Sequence, residues 1–270
     1  MRNMTKLLEI SLVWLLATCA HADSVSLYAA AGVKAPSEEI IQAFEQRTGH
    51  QVMRRYDTAG AAEAQMIAKI KQGQSASSLL ITTQVRIAKA SEKGGALHGG
   101  EARVVGDTLA GVAISNAFAQ LLREQNGTRA SHTGIGLAAD LKRTLLAAKS
   151  IAFSDPARGA TVGTHFVQVI ERLGIKDAVL AKSRVAKDGI ETMQWVVSGE
   201  VDIGITQMSE ILQTDPALLL GAFPLELELA TRYSSWMGAD ASPAVRDLAA
   251  AFASDAGRAV LARHGLRVPN

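Results

Sequence analysis

The chain has 270 residues, enough for one large domain or two medium ones, and 48% of them are apolar, so a substantial core can form. Aromatics are only 4%, which makes that core aliphatic, as where alanine-rich helices pack on aliphatic strands. The formal charge is +2, from 28 basic and 26 acidic residues with no basic run, which argues against a nucleic-acid surface.

The chain opens with a segment that reads as a secretory signal. Arg2 and Lys6 supply the positive region, residues 10–17 the apolar region, and Ala20-His21-Ala22 small residues at the positions a signal peptidase reads. Cleavage before Asp23 and export to the periplasm are expected. The apolar run falls well short of the ~20 residues of a membrane-spanning helix. Cys19 is the single cysteine and lies in this leader, so the exported form would carry no thiol, disulfide or thiolate metal site. Leu16-Ala17-Thr18-Cys19 approaches a lipobox, which makes a lipid-anchored protein the second reading. Loss of Arg2, Lys6 and Glu9 would leave 26 basic and 25 acidic residues.

After the leader, strand and helix signals alternate. Residues 25–29 are an apolar strand. A helix follows from Pro36, a favourable first-turn residue, with Ile40, Ile41 and Phe44 on one side, and it stops at Gly49. Residues 51–56 read as a strand, 61–72 as a helix ended by Gly73, 79–81 as a short buried strand, and 84–93 as a helix stopped by Gly94-Gly95. Residues 108–115 are strand-like. Helices follow at 117–124 and 137–149, then a strand at 151–153. Phe166, Val169, Ile170 and Leu173 fall in helical phase. Residues 190–197 read as a helix and 201–206 as a strand. Leu225-Glu226-Leu227-Glu228-Leu229 alternates strictly, which predicts a half-exposed strand. Helices at 243–252 and 255–263 close the chain. This alternation predicts mostly parallel sheets covered by helices on both faces.

One pattern recurs three times: a strand, a turn of small residues, a helix start. It occurs at residues 29–35, 57–61 and 159–163. A helix start presents free N–H groups and the positive end of the dipole, so it can hold an anion without a charged side chain. In open α/β sheets such turns gather at the carboxyl ends of strands, where ligands bind. The small residues around Gly32 therefore admit two readings: backbone amides approach a ligand there, or a strand and a helix pack tightly.

No enzyme is expected. His50, His98, His132 and His165 are scattered, with no pair at metal-ligand spacing, and His165 is notable only for following the third turn. No nucleophile elbow, phosphate-binding lysine loop or dinucleotide glycine fingerprint occurs. Neither a metal nor a cofactor is implied. A transcriptional sensor would need a helix-turn-helix segment, and none is found.

Several segments resemble the periplasmic molybdate/tungstate-binding proteins of ABC transporters. They are Leu27-Tyr28-Ala29-Ala30-Ala31-Gly32-Val33, the Thr58-Ala59-Gly60 turn, and Ile151-Ala152-Phe153-Ser154-Asp155-Pro156 leading to Thr161-Val162-Gly163. Gly199-Glu200-Val201-Asp202-Ile203-Gly204-Ile205 and the closing Ala259-Val260-Leu261 to Gly265-Leu266 also fit. The resemblance implies a two-lobed α/β protein of the type II periplasmic binding fold, each lobe a mostly parallel sheet flanked by helices. The lobes would be joined by two crossing strands, near 108–115 and 225–233. It further implies residues 1–22 as signal peptide, 23–107 as the first part of lobe 1, 108–230 as lobe 2 with a crossing strand at each end, and 231–270 as the rest of lobe 1.

The implied activity is capture of a small anion, molybdate or tungstate, for a membrane permease by a protein expected to be a monomer. The implied ligand shell comprises Ala31, Gly32 and Val33, then Thr58, Ala59 and Gly60, then Thr161, Val162, Ile190 and Gln207. The shell departs from the family pattern. Gly32 stands where a serine is usual, Thr58 is the one hydroxyl of the second turn, Gln207 replaces a tyrosine, and Ser78 an aspartate. A small organic carboxylate is therefore the alternative ligand, with Lys34, Arg158 or Arg232 to supply a charge.

Overall fold

The computed structural model describes residues 23–126 and 135–268; the expected leader, Cys19 and His132 lie outside them. Strands β1 (Ser24–Ala30), β2 (Gln51–Asp57) and β3 (Ser78–Thr83) form a parallel sheet with β1 in the middle. Helices α1 (Lys34–Thr48), α2 (Ala59–Lys71) and α3 (Gln84–Ala90) follow these strands in turn. The 3.6-residue period works as expected in α1: Ile40, Ile41 and Phe44 are buried against Val25, Leu27 and Leu79. Each such side chain contributes about 1.5–3 kcal/mol by leaving water. The helix ends where Gly49 turns left-handed (φ 75°), and its N–H donates to the Glu45 carbonyl.

β4 (Glu101–Ile114) joins the two halves of the molecule. Residues 101–109 pair antiparallel with β9 (Ala230–Met237), whose other edge pairs with β3. From Ala110 onward β4 pairs instead with β7 (Ile203–Gln207) and β8 (Leu219–Ala222). In the second half β7, β5 (Ile151–Ser154) and β6 (Ser183–Ala186) run parallel. Helices α4 (Asn116–Asn126), α5 (Ala138–Ala147), α6 (Thr161–Arg172), α7 (Lys176–Leu180), α8 (Gly189–Val197) and α9 (Met208–Thr214) belong to this half. Among the described residues the strand order is β2-β1-β3-β9-β4-β7-β5-β6, with β8 paired to β4. The main apolar clusters divide the same way. One gathers α1 and α10 (Pro243–Ala253) with α11 (Asp255–Arg263) on β1 and β3; another gathers α4 to α7 on β5 and β7.

The mixed α/β architecture, with largely parallel halves joined by antiparallel strands, matches the sequence reading. Several details differ. Residues 225–229 do not form a strand. Pro224 lacks an N–H and starts a 3-10 turn at Leu225–Leu227, which leaves Leu225 87% exposed and buries Leu227. The strand itself begins at Ala230. β4 begins seven residues before position 108, and α3 ends at Ala90 rather than near 93. The sequence reading also omits α7, β6, α9 and β8, of four to seven residues each, too short to establish a period.

Candidate functional site

A narrow cavity of about 30 Å³ lies where the two halves meet. It has room for one or two waters or one small ion. Ala31 and Gly32 reach it from the turn after β1, and Thr58 and Ala59 from the start of α2. Thr161 and Val162 come from the start of α6, and Gly189 from the start of α8. Gln207, Glu210 and Tyr233 close it from β7, α9 and β9. The local sequence dictates each arrival. Thr58 caps α2 by accepting the Ala61 N–H at 3.2 Å, and Asp188 caps α8 by accepting the Glu191 N–H at 2.8 Å. Before α6, Asp155 accepts the Ala157 N–H at 2.8 Å, Pro156 begins a 3-10 turn, and Gly159 adopts φ 79°. The first N–H groups of α6 have no acceptor within the helix.

Seven of the ten sequence-derived residues line this cavity: Ala31, Gly32, Thr58, Ala59, Thr161, Val162 and Gln207. Three do not. Val33 is wholly buried in the apolar core beside Ile41 and Phe44. The Gly60 N–H donates to the Gly159 carbonyl at 3.3 Å. Ile190 sits one residue beyond Gly189, which takes the place at the wall. Thr58 lines the cavity, but its hydroxyl donates to the Arg158 carbonyl and is engaged there.

Protein neighbours account for the small residues of all three turns. A methyl group on Gly32 would stand 2.6 Å from the Tyr233 hydroxyl and 3.3 Å from Ser209 Oγ. One on Gly60 would stand 2.8 Å from the Arg158 carbonyl oxygen, and one on Gly163 only 1.8 Å from the carbonyl oxygen of Ser154. The turns are small because the two halves and their helices approach this closely. The cavity is the space left between them.

Tyr233 and Glu210 are absent from the sequence-derived set. Tyr233 lies on the crossing strand β9 and brings a phenol to the cavity although position 207 is a glutamine. It is 2% exposed, and burial pushes its phenol well above the usual range. Gln207 donates to the Thr231 hydroxyl at 2.9 Å. Glu210 is a buried acid whose Oε2 accepts from the Thr206 hydroxyl and from the Gln207 N–H. Burial, with Asp188 adding like charge, pushes its carboxyl up to about 7. Tyr233 could have been suspected as one of the two aromatics, with Trp236, in the stretch 231–237. Glu210 looks like an ordinary helix-face acid, and nothing local marks it as buried.

The three cations considered for a carboxylate ligand are occupied elsewhere. Arg158 donates to both carboxylate oxygens of Asp57 at 2.7 Å, Arg232 grips Asp107 at 2.7 and 2.8 Å, and the Lys34 ammonium lies 5.9 Å over the Tyr56 ring. Among the described residues no lysine or arginine lines the cavity. The Asp57–Arg158 pair ties the two halves together on one side, and its half-exposed arginine limits its worth to about 1 kcal/mol or less. On the other side, Gln213 accepts the Ala35 N–H at 2.8 Å and donates to the Ala31 carbonyl at 3.3 Å.

His165 is not at the cavity; its Nε2 lies 2.8 Å from the Leu227 carbonyl oxygen. No helix among the described residues is long and apolar enough to cross a membrane.

Known proteins share this fold. The molybdate-binding protein ModA of Azotobacter vinelandii is 26% identical over 198 residues, 73% of this chain and 69% of that protein. The solved periplasmic molybdate-binding protein of Azotobacter vinelandii superposes with a TM-score of 0.68 at 16% identity, covering 91% of this chain and all of the other. A protein assigned to phosphate ABC transport in Clostridium perfringens, solved with bound phosphate, gives 0.63 at 12% identity, covering 92% of this chain and all of the other. Residues 25–267 match the model of the bacterial extracellular solute-binding proteins, a span that holds both half-sheets, the crossing strands and every wall of the cavity, and the chain belongs to that family.

Proposed function

We propose that this chain is the periplasmic capture component of an ABC importer, and that it binds one small tetrahedral oxyanion of the molybdate or tungstate class in the cavity between its halves. The observation that carries this reading is a cavity of about 30 Å³, walled by the starts of α2, α6 and α8 and by no cation. Helix starts hold compact anions through N–H groups and the helix dipole, and the Tyr233 hydroxyl adds a neutral donor. A cavity this size suits a compact ion better than a sugar or a peptide. The ModA relative is named for binding molybdate, which favours the same ligand class. Delivery to a membrane permease and a monomeric state complete the proposal, with no metal or cofactor of its own.

Native mass spectrometry of the protein as purified tests the ligand class, because a bound heavy-metal oxyanion and an organic acid differ plainly in mass. Two variants test the site. Gly32→Ala places a methyl 2.6 Å from the Tyr233 hydroxyl and must displace the phenol or the turn. Molybdate affinity is expected to fall about tenfold or more in calorimetry. Lys34→Ala, by contrast, should bind within about twofold of the parent, because Lys34 stands on Tyr56 outside the cavity. A large loss there would shift the reading to an organic carboxylate. For export, N-terminal sequencing of the secreted protein is expected to begin at Asp23. A mature protein that starts at Cys19 with lipid attached would replace this with the lipid-anchored reading.

A further inference from the structure

Glu210 is at odds with a site for anions. Its carboxyl lies in the cavity wall, pressed against Gly189 so closely that a methyl on that glycine would stand 2.1 Å from Oε2 and 2.4 Å from Oε1. Both described hydrogen bonds, from the Thr206 hydroxyl and the Gln207 N–H, fall on Oε2. Among the described residues no lysine or arginine lines the cavity, and the cations nearest to it are already paired: Arg232 of β9 with Asp107, Arg103 of β4 with Glu101, and Arg158 with Asp57, the other acid of the wall. Asp188, the cap of α8, adds a second acid, Glu191 within α8 accepts the Lys187 N–H, and β9 contributes the neutral Tyr233 phenol. β7, β8 and the 3-10 turn at Ala31–Val33 contain no ionisable side chain, and Asp107 on β4 is paired with Arg232. An oxyanion entering beside an ionised Glu210 would put two negative groups in contact in a space without a cation. One proton between them converts that repulsion into a charge-assisted hydrogen bond.

We propose that the site takes up its oxyanion together with one proton, shared between Glu210 and the nearest anion oxygen, which makes Glu210 a specificity residue. The inference rests on the oxyanion reading above and deepens it. Molybdate carries no proton of its own near neutral pH, so Glu210 must hold the proton. Hydrogenphosphate brings one and can donate it to an ionised Glu210. Burial already holds the Glu210 carboxyl up to about 7, so the proton is available at little cost near neutral pH.

Calorimetry of the full mature chain tests this in buffers of different ionisation enthalpy. At pH 8 molybdate binding is expected to draw about one proton from the buffer, and its affinity to fall about tenfold per pH unit above pH 7, the slope that linkage assigns to one proton. Phosphate at pH 8 should bind with no net uptake. Glu210→Gln carries a permanent donor, so its molybdate affinity is expected to be flat from pH 6 to 9, with buffer-independent heat. Buffer-independent heat for molybdate with the unmodified protein overturns the proton coupling and leaves oxyanion binding in place. A Glu210→Gln protein that keeps the parent's pH slope overturns the role of Glu210. If neither molybdate nor phosphate binds at pH 6, the oxyanion reading falls and the coupling with it.

Discussion

Gly163→Ala is expected to lower the unfolding free energy by about 2–3 kcal/mol, the upper part of the range for forcing an extra carbon into a packed site. The new methyl would stand 1.8 Å from the Ser154 carbonyl oxygen and 3.0 Å from its carbon. That carbonyl belongs to β5, held between β7 and β6, and cannot rotate away as a side chain would. The start of α6 must therefore retreat, loosening the buried Phe166, Val169 and Ile170 on its inner face. Alanine's helix propensity returns at most about 1 kcal/mol, too little to compensate. In a chain of this size the net loss appears as a fall of about 5–10 °C in the unfolding midpoint. The same retreat withdraws the amides of Thr161 and Val162 from the cavity, so oxyanion affinity should fall tenfold or more. A variant that melts with the parent would show that α6 is not pinned to β5 at this point.

The second large effect is on stability as a function of pH. Burial holds the Glu210 carboxyl at about 7 in the folded protein, against an ordinary value of 4.5. The folded state therefore binds this proton more tightly than the unfolded state does. Its contribution is complete below pH 4.5 and is lost as pH rises through about 7, a change of about 3 kcal/mol at about 1.4 kcal/mol per pKa unit. Other carboxylates titrate in part of this range. Asp107, held low by the Arg232 guanidinium, shifts stability in the opposite sense at lower pH. The difference between the parent and Glu210→Gln isolates the one group. In ligand-free protein the glutamine variant is expected to gain on the parent between pH 5 and about pH 7 and to level off by pH 8 in urea unfolding. A difference that stays level across that range would mean that Glu210 keeps its charge hydrated.

Apo and bound proteins should then respond to pH in different ways. The buried acid burdens the empty closed cavity above neutral pH, and a protonated contact with the ligand relieves the burden. This is the reciprocal relation between proton and anion binding that linkage requires.

The sequence by itself determined the alternation of strands and helices, the aliphatic core and the turns that reach the cavity. These depend on near neighbours along the chain. Ile40, Ile41 and Phe44 share a helix face by spacing alone, Gly49 ends a helix by its own left-handed backbone, and Thr58 caps the helix that follows it. The three small turns were legible for the same reason. Only the tertiary structure decided why they are small and what else stands among them. Gly32 answers to Tyr233, about two hundred residues away, and Gly60 to the backbone of Arg158. The hydroxyl of Thr58 was legible as a donor, but the Arg158 carbonyl that engages it arrives from the other half of the chain. Residues 225–229 alternate like a strand, yet a strand needs a partner edge, and after Pro224 the chain turns before it reaches one. Glu210 belongs to a seven-residue helix whose sequence gives no sign of burial; it is buried because β7, α8 and β9 meet over it, and burial is a property of the assembled neighbours that no local pattern encodes.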